Sequence, residues 1–196
     1  ERAAAAAKPL GLKRQRSQRS ADAGYFIEEV RRQLIAQFGE TAEDGPNSVY
    51  AGGLWVRTSL DPEMQDAARE ALREGLLRYH GNRGWSGAIA TIDVSEGNWA
   101  RQLQSSPLGI RYKDWRLGVV TSREGSSARI GFSDGLEAPL TGLPNALGTG
   151  DVIVAKPAGT GYAVATVPEA QGGLVVQDAQ YGRVLAMQGG FDFRLS

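Results

Sequence analysis

Cysteine is absent from these 196 residues, which excludes a disulfide framework, a thiolate nucleophile and a cysteine-ligated metal, and leaves the redox compartment open. Histidine occurs once, at His80, so neither a two-histidine metal site nor a Cys-His pair can form. Neither sign of charge is in excess: 22 Lys and Arg balance 22 Asp and Glu, and the whole chain offers no net field to draw nucleic acid or anionic lipid. No apolar run approaches the roughly eighteen residues of a membrane span, and the start lacks the apolar core of a signal peptide. If a longer parent is anchored in a membrane, the anchor lies outside this segment.

What is present is a globular composition, 41% hydrophobic, enough for a buried core. Arg2, Lys8, Lys13, Arg14, Arg16 and Arg19 face only Glu1 in the first twenty residues, a local basic tail that reads as a solvated linker. Glu1 to Ala7 is helix-prone and is interrupted at Lys8-Pro9, so it reads as the end of something larger. Ile27, Val30, Leu34 and Phe38 then recur at steps of three and four before Gly39, which predicts an amphipathic helix over 25–38.

After a polar loop, Leu54, Val56, Thr58 and Leu60 alternate with Trp55, Arg57 and Ser59, the period of a strand. Asp61 supplies an N-cap oxygen, Pro62 suits a first helical turn, and Glu63 sits where the helix dipole favours an anion. Met64, Ala68, Leu72, Leu76 and Tyr79 form the expected apolar stripe of that helix, and Gly81 its exit.

From Gly84 the texture changes to short apolar runs broken by glycine: 88–94, 115–121, 128–132, 136–140, 152–155 and 162–167. Glu124-Gly125, Asp134-Gly135 and Gly159-Thr160-Gly161 separate such runs at hairpin distance. Five or six strands of this kind suit a small barrel. The piece from Ser95 to Asp114 shows no period and reads as an insertion loop. A last hairpin is expected from 173–178 and 182–187, followed by Gly189-Gly190.

Three stretches together resemble the class A, 1A-type, bifunctional penicillin-binding proteins. GLWVRTSLDPEMQ, Gly53 to Gln65, resembles that family's strand, Thr-x-Leu-Asp-Pro turn and helix on the approach to the transpeptidase domain. VPEAQGGLVVQDAQYGRVLAMQGG, Val167 to Gly190, resembles its first transpeptidase hairpin, and the β-rich region between them sits where 1A-type members carry an inserted OB-like barrel. The start, with Pro9-Leu10-Gly11-Leu12, resembles the tail of the glycosyltransferase domain, and 25–38 the connecting helix.

The resemblance implies an α+β fold: an N-terminal helical linker, and a small antiparallel OB-like barrel inserted into a strand-helix-hairpin base. Its divisions would be 1–50 for the glycosyltransferase tail and linker, 51–83 for the start of the transpeptidase domain, 84–167 for the barrel and 168–196 for the hairpin. Function would be non-catalytic: interdomain spacing and regulatory docking in a periplasmic peptidoglycan synthase held at the inner membrane. Implied partners are the neighbouring glycosyltransferase and transpeptidase domains, outer-membrane lipoprotein activators and peptidoglycan, with no cofactor, no metal and no nucleic acid.

The family's chemistry is not written in these residues. No serine has lysine three positions on, Ser133-Asp134 is followed by Gly135, and Lys156 by Pro157-Ala158, so the three transpeptidase elements are missing. Glu43-Asp44 continues Gly45-Pro46-Asn47 and does not match the glycosyltransferase motif. The carboxylate clusters Glu28-Glu29, Glu43-Asp44 and Asp61-Glu63 read as solvated faces. The candidate partner surface is Trp99, Arg111, Tyr112, Lys113 and Trp115, beside Arg116. The alternative use of such aromatic and basic groups is an independent OB-type module binding single-stranded nucleic acid or oligosaccharide.

Overall fold

A computed structural model describes residues 23–195; the Ala-rich start, Pro9 and the basic tail lie outside the described residues. Helix α1 (Gly24–Phe38) forms where the periodicity predicts it and ends at Gly39, whose φ of 80° suits glycine and whose N–H donates to the Ile35 carbonyl at 2.8 Å. The expected stripe is corrected in part: Val30 and Leu34 are half-buried, but its two ends are not. Ala23 and Phe26 are buried, and the Tyr25 ring meets Phe193 edge-on at 4.9 Å, while Ile27 and Phe38 remain exposed.

The alternating stretch before Asp61 does not form a strand: residues 53–61 belong to no helix and no ladder, and Trp55 is 85% exposed. A strand is stable only when a neighbour takes its backbone hydrogen bonds, and here only the end finds one. The Ser59 hydroxyl donates to the Val184 carbonyl at 2.6 Å, and the Asp61 N–H to the Leu185 carbonyl at 2.8 Å.

Helix α2 (Pro62–His80) begins as its sequence dictates, with the Asp61 carboxylate accepting from the N–H groups of Glu63 and Met64 at 3.0 and 3.1 Å. The expected stripe is corrected in part. Ala68 and Leu76 are buried, but Met64 and Tyr79 are exposed, and the face turned inward also carries Gln65 and Arg73. Against this face lies the hairpin of β7 (Gly173–Gln177) and β8 (Val184–Gly189), with Val175 opposite Met187.

Between α2 and β7 the chain builds a six-stranded sheet, five strands of which close into a barrel. The strands are β1 (Ala90–Thr91), β2 (Arg116–Glu124), β3 (Ser127–Phe132), β4 (Glu137–Thr141), β5 (Asp151–Ala158) and β6 (Gly161–Ala165). β2, β3 and β4 form an antiparallel meander, β5 returns beside β2, and β6 closes the ring by pairing antiparallel with β5 and parallel with β4. A shift of register between Val120 and Ser122 bends β2 so that its first half pairs with β5 while its second half continues along β3. Pro139, which cannot donate to a ladder, is tolerated because β6 pairs only with Leu140 and Thr141 of β4.

Alternating residues fill the ring. Val120, Ile130, Phe132, Leu140, Ile153 and Ala155 form its core with the Leu147 side chain from the β4–β5 loop; each large side chain so buried contributes about 1.5–3 kcal/mol. The expected insertion loop contains a helix, α3 (Trp99–Ser105). It packs on the outside of the barrel, where Leu103 and Trp99 join Val119 and Val152 in a second cluster.

Candidate functional site

The barrel leaves the base after α2 and returns to it before β7, so the informative region is the seam where these crossings meet. A third cluster lies there: Leu76 of α2, Tyr112 from the segment entering β2, and Phe191 just past β8. The Tyr112 ring stands edge-on to Trp115 at 4.9 Å and to Phe191 at 5.2 Å, and Trp115 stacks on Phe191 at 5.9 Å.

Beside those rings is a buried polar node. The Arg73 guanidinium donates to the Phe191 carbonyl at 2.7 Å, the Arg111 carbonyl at 2.6 Å and the Asp192 carboxylate at 2.7 Å. Asp192 in turn accepts from the N–H groups of Arg111 and Arg194 at 2.9 and 3.1 Å. One ion pair therefore holds α2, the approach to the barrel and the exit from the hairpin, and its remaining hydrogen-bonding groups are used as a buried pair requires.

The five residues of the candidate partner surface are not gathered into one patch. Trp99 belongs to the cluster under α3, half-buried, with its ring close over Gly131. Tyr112 is 4% exposed and Trp115 half-buried, both in the seam. Arg111 and Lys113 are exposed. Lys113 has a φ of 48° and its ammonium lies 4.9 Å from the Tyr112 ring, and a hydrogen bond to Tyr112 raises its pKa. The stacking platforms a single-stranded nucleic acid needs are here engaged in packing.

The carboxylate clusters are structural. Glu28 is held below the ordinary carboxylate range by its hydrogen bond from Arg31, and Asp44 by the N–H groups of Thr41 and Glu40. Asp61 caps α2. Ser133, Asp134 and Gly135 lie in the β3–β4 turn, with Asp134 bonded to Arg116 at 2.7 Å. Among the described residues no group of three His, Cys, Asp or Glu side chains could hold a metal ion, and no helix is long and apolar enough to cross a membrane.

Sequence reasoning missed Arg73, Gln65 and Asp192. Neither apolar periodicity nor any motif marks them, and the contacts that join Gln65 to Gln188 and Arg73 to Asp192 span more than a hundred residues of sequence.

No family model matches the chain. Penicillin-binding protein 1A of Rickettsia bellii (strain RML369-C) is 32% identical over 197 residues, covering 94% of this chain and 24% of that protein. Penicillin-binding protein 1A of Escherichia coli (strain K12) is 27% identical over 198 residues, covering 89% of this chain and 22% of that protein. The solved structure of penicillin-binding protein 1A from Haemophilus influenzae superposes with a TM-score of 0.66 at 23% identity, covering 89% of this chain and 27% of that one. The chain thus spans about a quarter of the length of the curated relatives it matches. Through nearly its whole sequence, and in fold, it is a relative of penicillin-binding protein 1A.

Proposed function

We propose that the chain is the non-catalytic spacing and docking segment of a bifunctional peptidoglycan synthase, lying between a glycosyltransferase domain and a penicillin-binding transpeptidase domain in the periplasm. The observation that carries this reading is an insertion that leaves its host intact: α2 packs on β8 although the whole barrel intervenes between them in sequence. The outgoing and returning crossings are tied together, since the Ser86 hydroxyl donates to the Val167 carbonyl at 2.8 Å. A barrel hung on two crossings and clamped by the Arg73–Asp192 node moves with its base. In this reading 1–50 is the glycosyltransferase tail and helical linker, 51–83 and 168–196 are the transpeptidase base, and 84–167 is the inserted domain.

The barrel is of the OB type. A three-stranded meander, a fourth strand back beside the first, and a fifth between the third and fourth are what support that assignment. Its partners are lipoprotein activators, peptidoglycan or both, and a partner on the barrel acts by shifting the placement of the catalytic domains, a coupling between distinct sites.

Fluorescent penicillin is the direct test. This chain should not label, whereas a chain extended past Ser196 to include a Ser-x-x-Lys element should; labelling of this chain itself overturns the non-catalytic reading. A parent protein lacking 84–167 should still label yet lose its response to its activator, and an unchanged response overturns the docking role.

A further inference from the structure

Two clefts adjoin where α2 gives way to the barrel. One, of about 380 Å³, is walled by Tyr79, Arg83, Ser86 and Glu169; the other, of about 510 Å³, by Asn82, Leu143, Pro144 and Thr166. His80, Gly84 and Trp85 line both, so the two form one groove running past a shared ridge. Each part is of the size that holds a small ligand.

The chemistry of the walls is specific. Trp85 is half-buried and packed against the barrel core, which fixes its ring. Tyr79 is 64% exposed and carries the Arg83 guanidinium 4.3 Å from its ring centroid, a stack that presents a flat cationic shelf. The His80 Nε2 lies 2.8 Å from the Gly84 carbonyl. A carbonyl only accepts, so Nε2 carries a proton and donates it there, which fixes the ring's orientation and leaves its Nδ1 edge turned from that contact. Asn82 adds an amide that both donates and accepts, and Glu169 an exposed carboxylate.

Rigid aromatic surface bordered by mixed donors and acceptors fits the apolar face and hydroxyl rim of a sugar ring. A guanidinium on an aromatic shelf adds a bidentate seat for a carboxylate. A nucleic-acid strand fits poorly, because it carries a phosphate at every nucleotide and Arg83 is the one arginine among the residues lining the groove, enough to seat a single anionic group.

We infer that this groove binds a carboxylate-bearing, N-acetylated saccharide, a stretch of glycan strand of the kind the parent synthase would make; the choice of glycan rests on the function proposed above. The groove would let the segment hold nascent strand beside the base while the barrel remains available to a protein partner.

The test is a titration of the full 15N-labelled chain with N-acetylglucosaminyl-N-acetylmuramyl tetrapeptide, read at the indole N–H signals of Trp55, Trp85, Trp99 and Trp115. Trp85 should shift saturably while the other three hold still. Tyr79→Ala and Arg83→Ala should each weaken binding by roughly tenfold, the scale of one lost charge-assisted or stacking contact. Tetrameric N-acetylglucosamine, which lacks a carboxylate, should bind at least about fivefold more weakly than the tetrapeptide-bearing ligand. Unmoved Trp99 and Trp115 signals in each unliganded variant report that the fold is kept. No Trp85 shift at millimolar ligand, equal shifts at all four indoles, undiminished binding by both variants, or equal binding of the neutral tetramer each overturns the proposal. So does a Trp85 shift produced equally by the free tetrapeptide. Penicillin labelling of the extended chain separates the two readings: labelling without a Trp85 shift overturns the groove alone, whereas absence of labelling overturns the synthase assignment.

Discussion

Arg73 and Asp192, 119 residues apart in the chain, meet at 2.7 Å with each side chain only 5% exposed. Such a pair contributes little net stability over an apolar equivalent, but removing one partner strands a charge where water cannot reach it, at a cost of about 3–5 kcal/mol. What the pair adds is specificity, because three segments distant in sequence must converge for it to form.

Arg73→Ala and Asp192→Ala should therefore each lower the unfolding free energy by about 3–5 kcal/mol, and the double variant should lose little more than either single one. Urea unfolding followed by tryptophan fluorescence measures this, since Trp115 lies in the same seam. Two small, additive losses would show that the node is incidental.

Gln65 plays the part of an absent strand. At 1% exposure, its side-chain amide accepts from the Met187 N–H at 2.9 Å and donates to the Met187 carbonyl at 3.1 Å, taking up the outer edge of β8. Gln65→Ala leaves those backbone groups without the side-chain partner and should cost about 1–3 kcal/mol. Hydrogen exchange localises the effect: the Met187 amide should exchange faster relative to Ala186 and Gln188, whose N–H groups alternate toward β7. Unaltered protection at Met187 would mean that another group guards the edge.

These two residues mark where the sequence stops being readable. Turns and strands are local: Gly125, Gly135 and Gly159 have φ of 56°, 83° and 57° at the hairpin corners that Glu124-Gly125, Asp134-Gly135 and Gly159-Thr160-Gly161 predict, and each flanking apolar run becomes one barrel strand. The inward face of α2 is not local. Apolar spacing selects Met64 and Tyr79, yet Gln65 and Arg73 are buried because β8, Phe191 and Asp192 supply their partners. The strand expected over 54–60 fails for the converse reason, since its period is correct but no ladder neighbour accompanies it among the described residues. The seven residues of α3 carry little more than Trp99 and Leu103 as an apolar face, too short a pattern to distinguish from loop. The same packing turns Trp99, Tyr112 and Trp115, which a linear reading offers as a surface, toward the interior.

Gly131 and Trp99 form a contact that tolerates no added atom. A Cβ at position 131 would stand 2.5 Å from the Trp99 ring and 2.8 Å from the Thr121 methyl, well inside van der Waals contact. Gly131→Ala should displace α3 from the barrel, costing about 1–3 kcal/mol by overpacking and shifting tryptophan emission to the red. Trp99→Ala should relieve the ring's share of the clash and leave that with Thr121, so the double variant is more stable than the sum of single losses predicts. Simple additivity would place the ring elsewhere.

Asp134 makes the barrel sensitive to acid. A hydrogen bond from Arg116, followed by one from the Leu136 N–H, holds its pKa below the ordinary aspartate value. A carboxyl whose folded pKa is depressed contributes stability above its unfolded pKa, about 3.9, and loses that contribution as pH falls through the folded value. The stability difference between the native chain and Asp134→Asn should thus be constant from neutrality to about pH 5 and shrink toward pH 2, where both carry an uncharged side chain. Added salt should shrink it too, because Asp134 is 54% exposed and the pair is screened. Urea midpoints of both chains across this range decide the matter: a difference that widens as pH falls would mean that Asp134 is held protonated in the fold, and that the Arg116 guanidinium meets it as a hydrogen-bond donor rather than as an ion-pair partner.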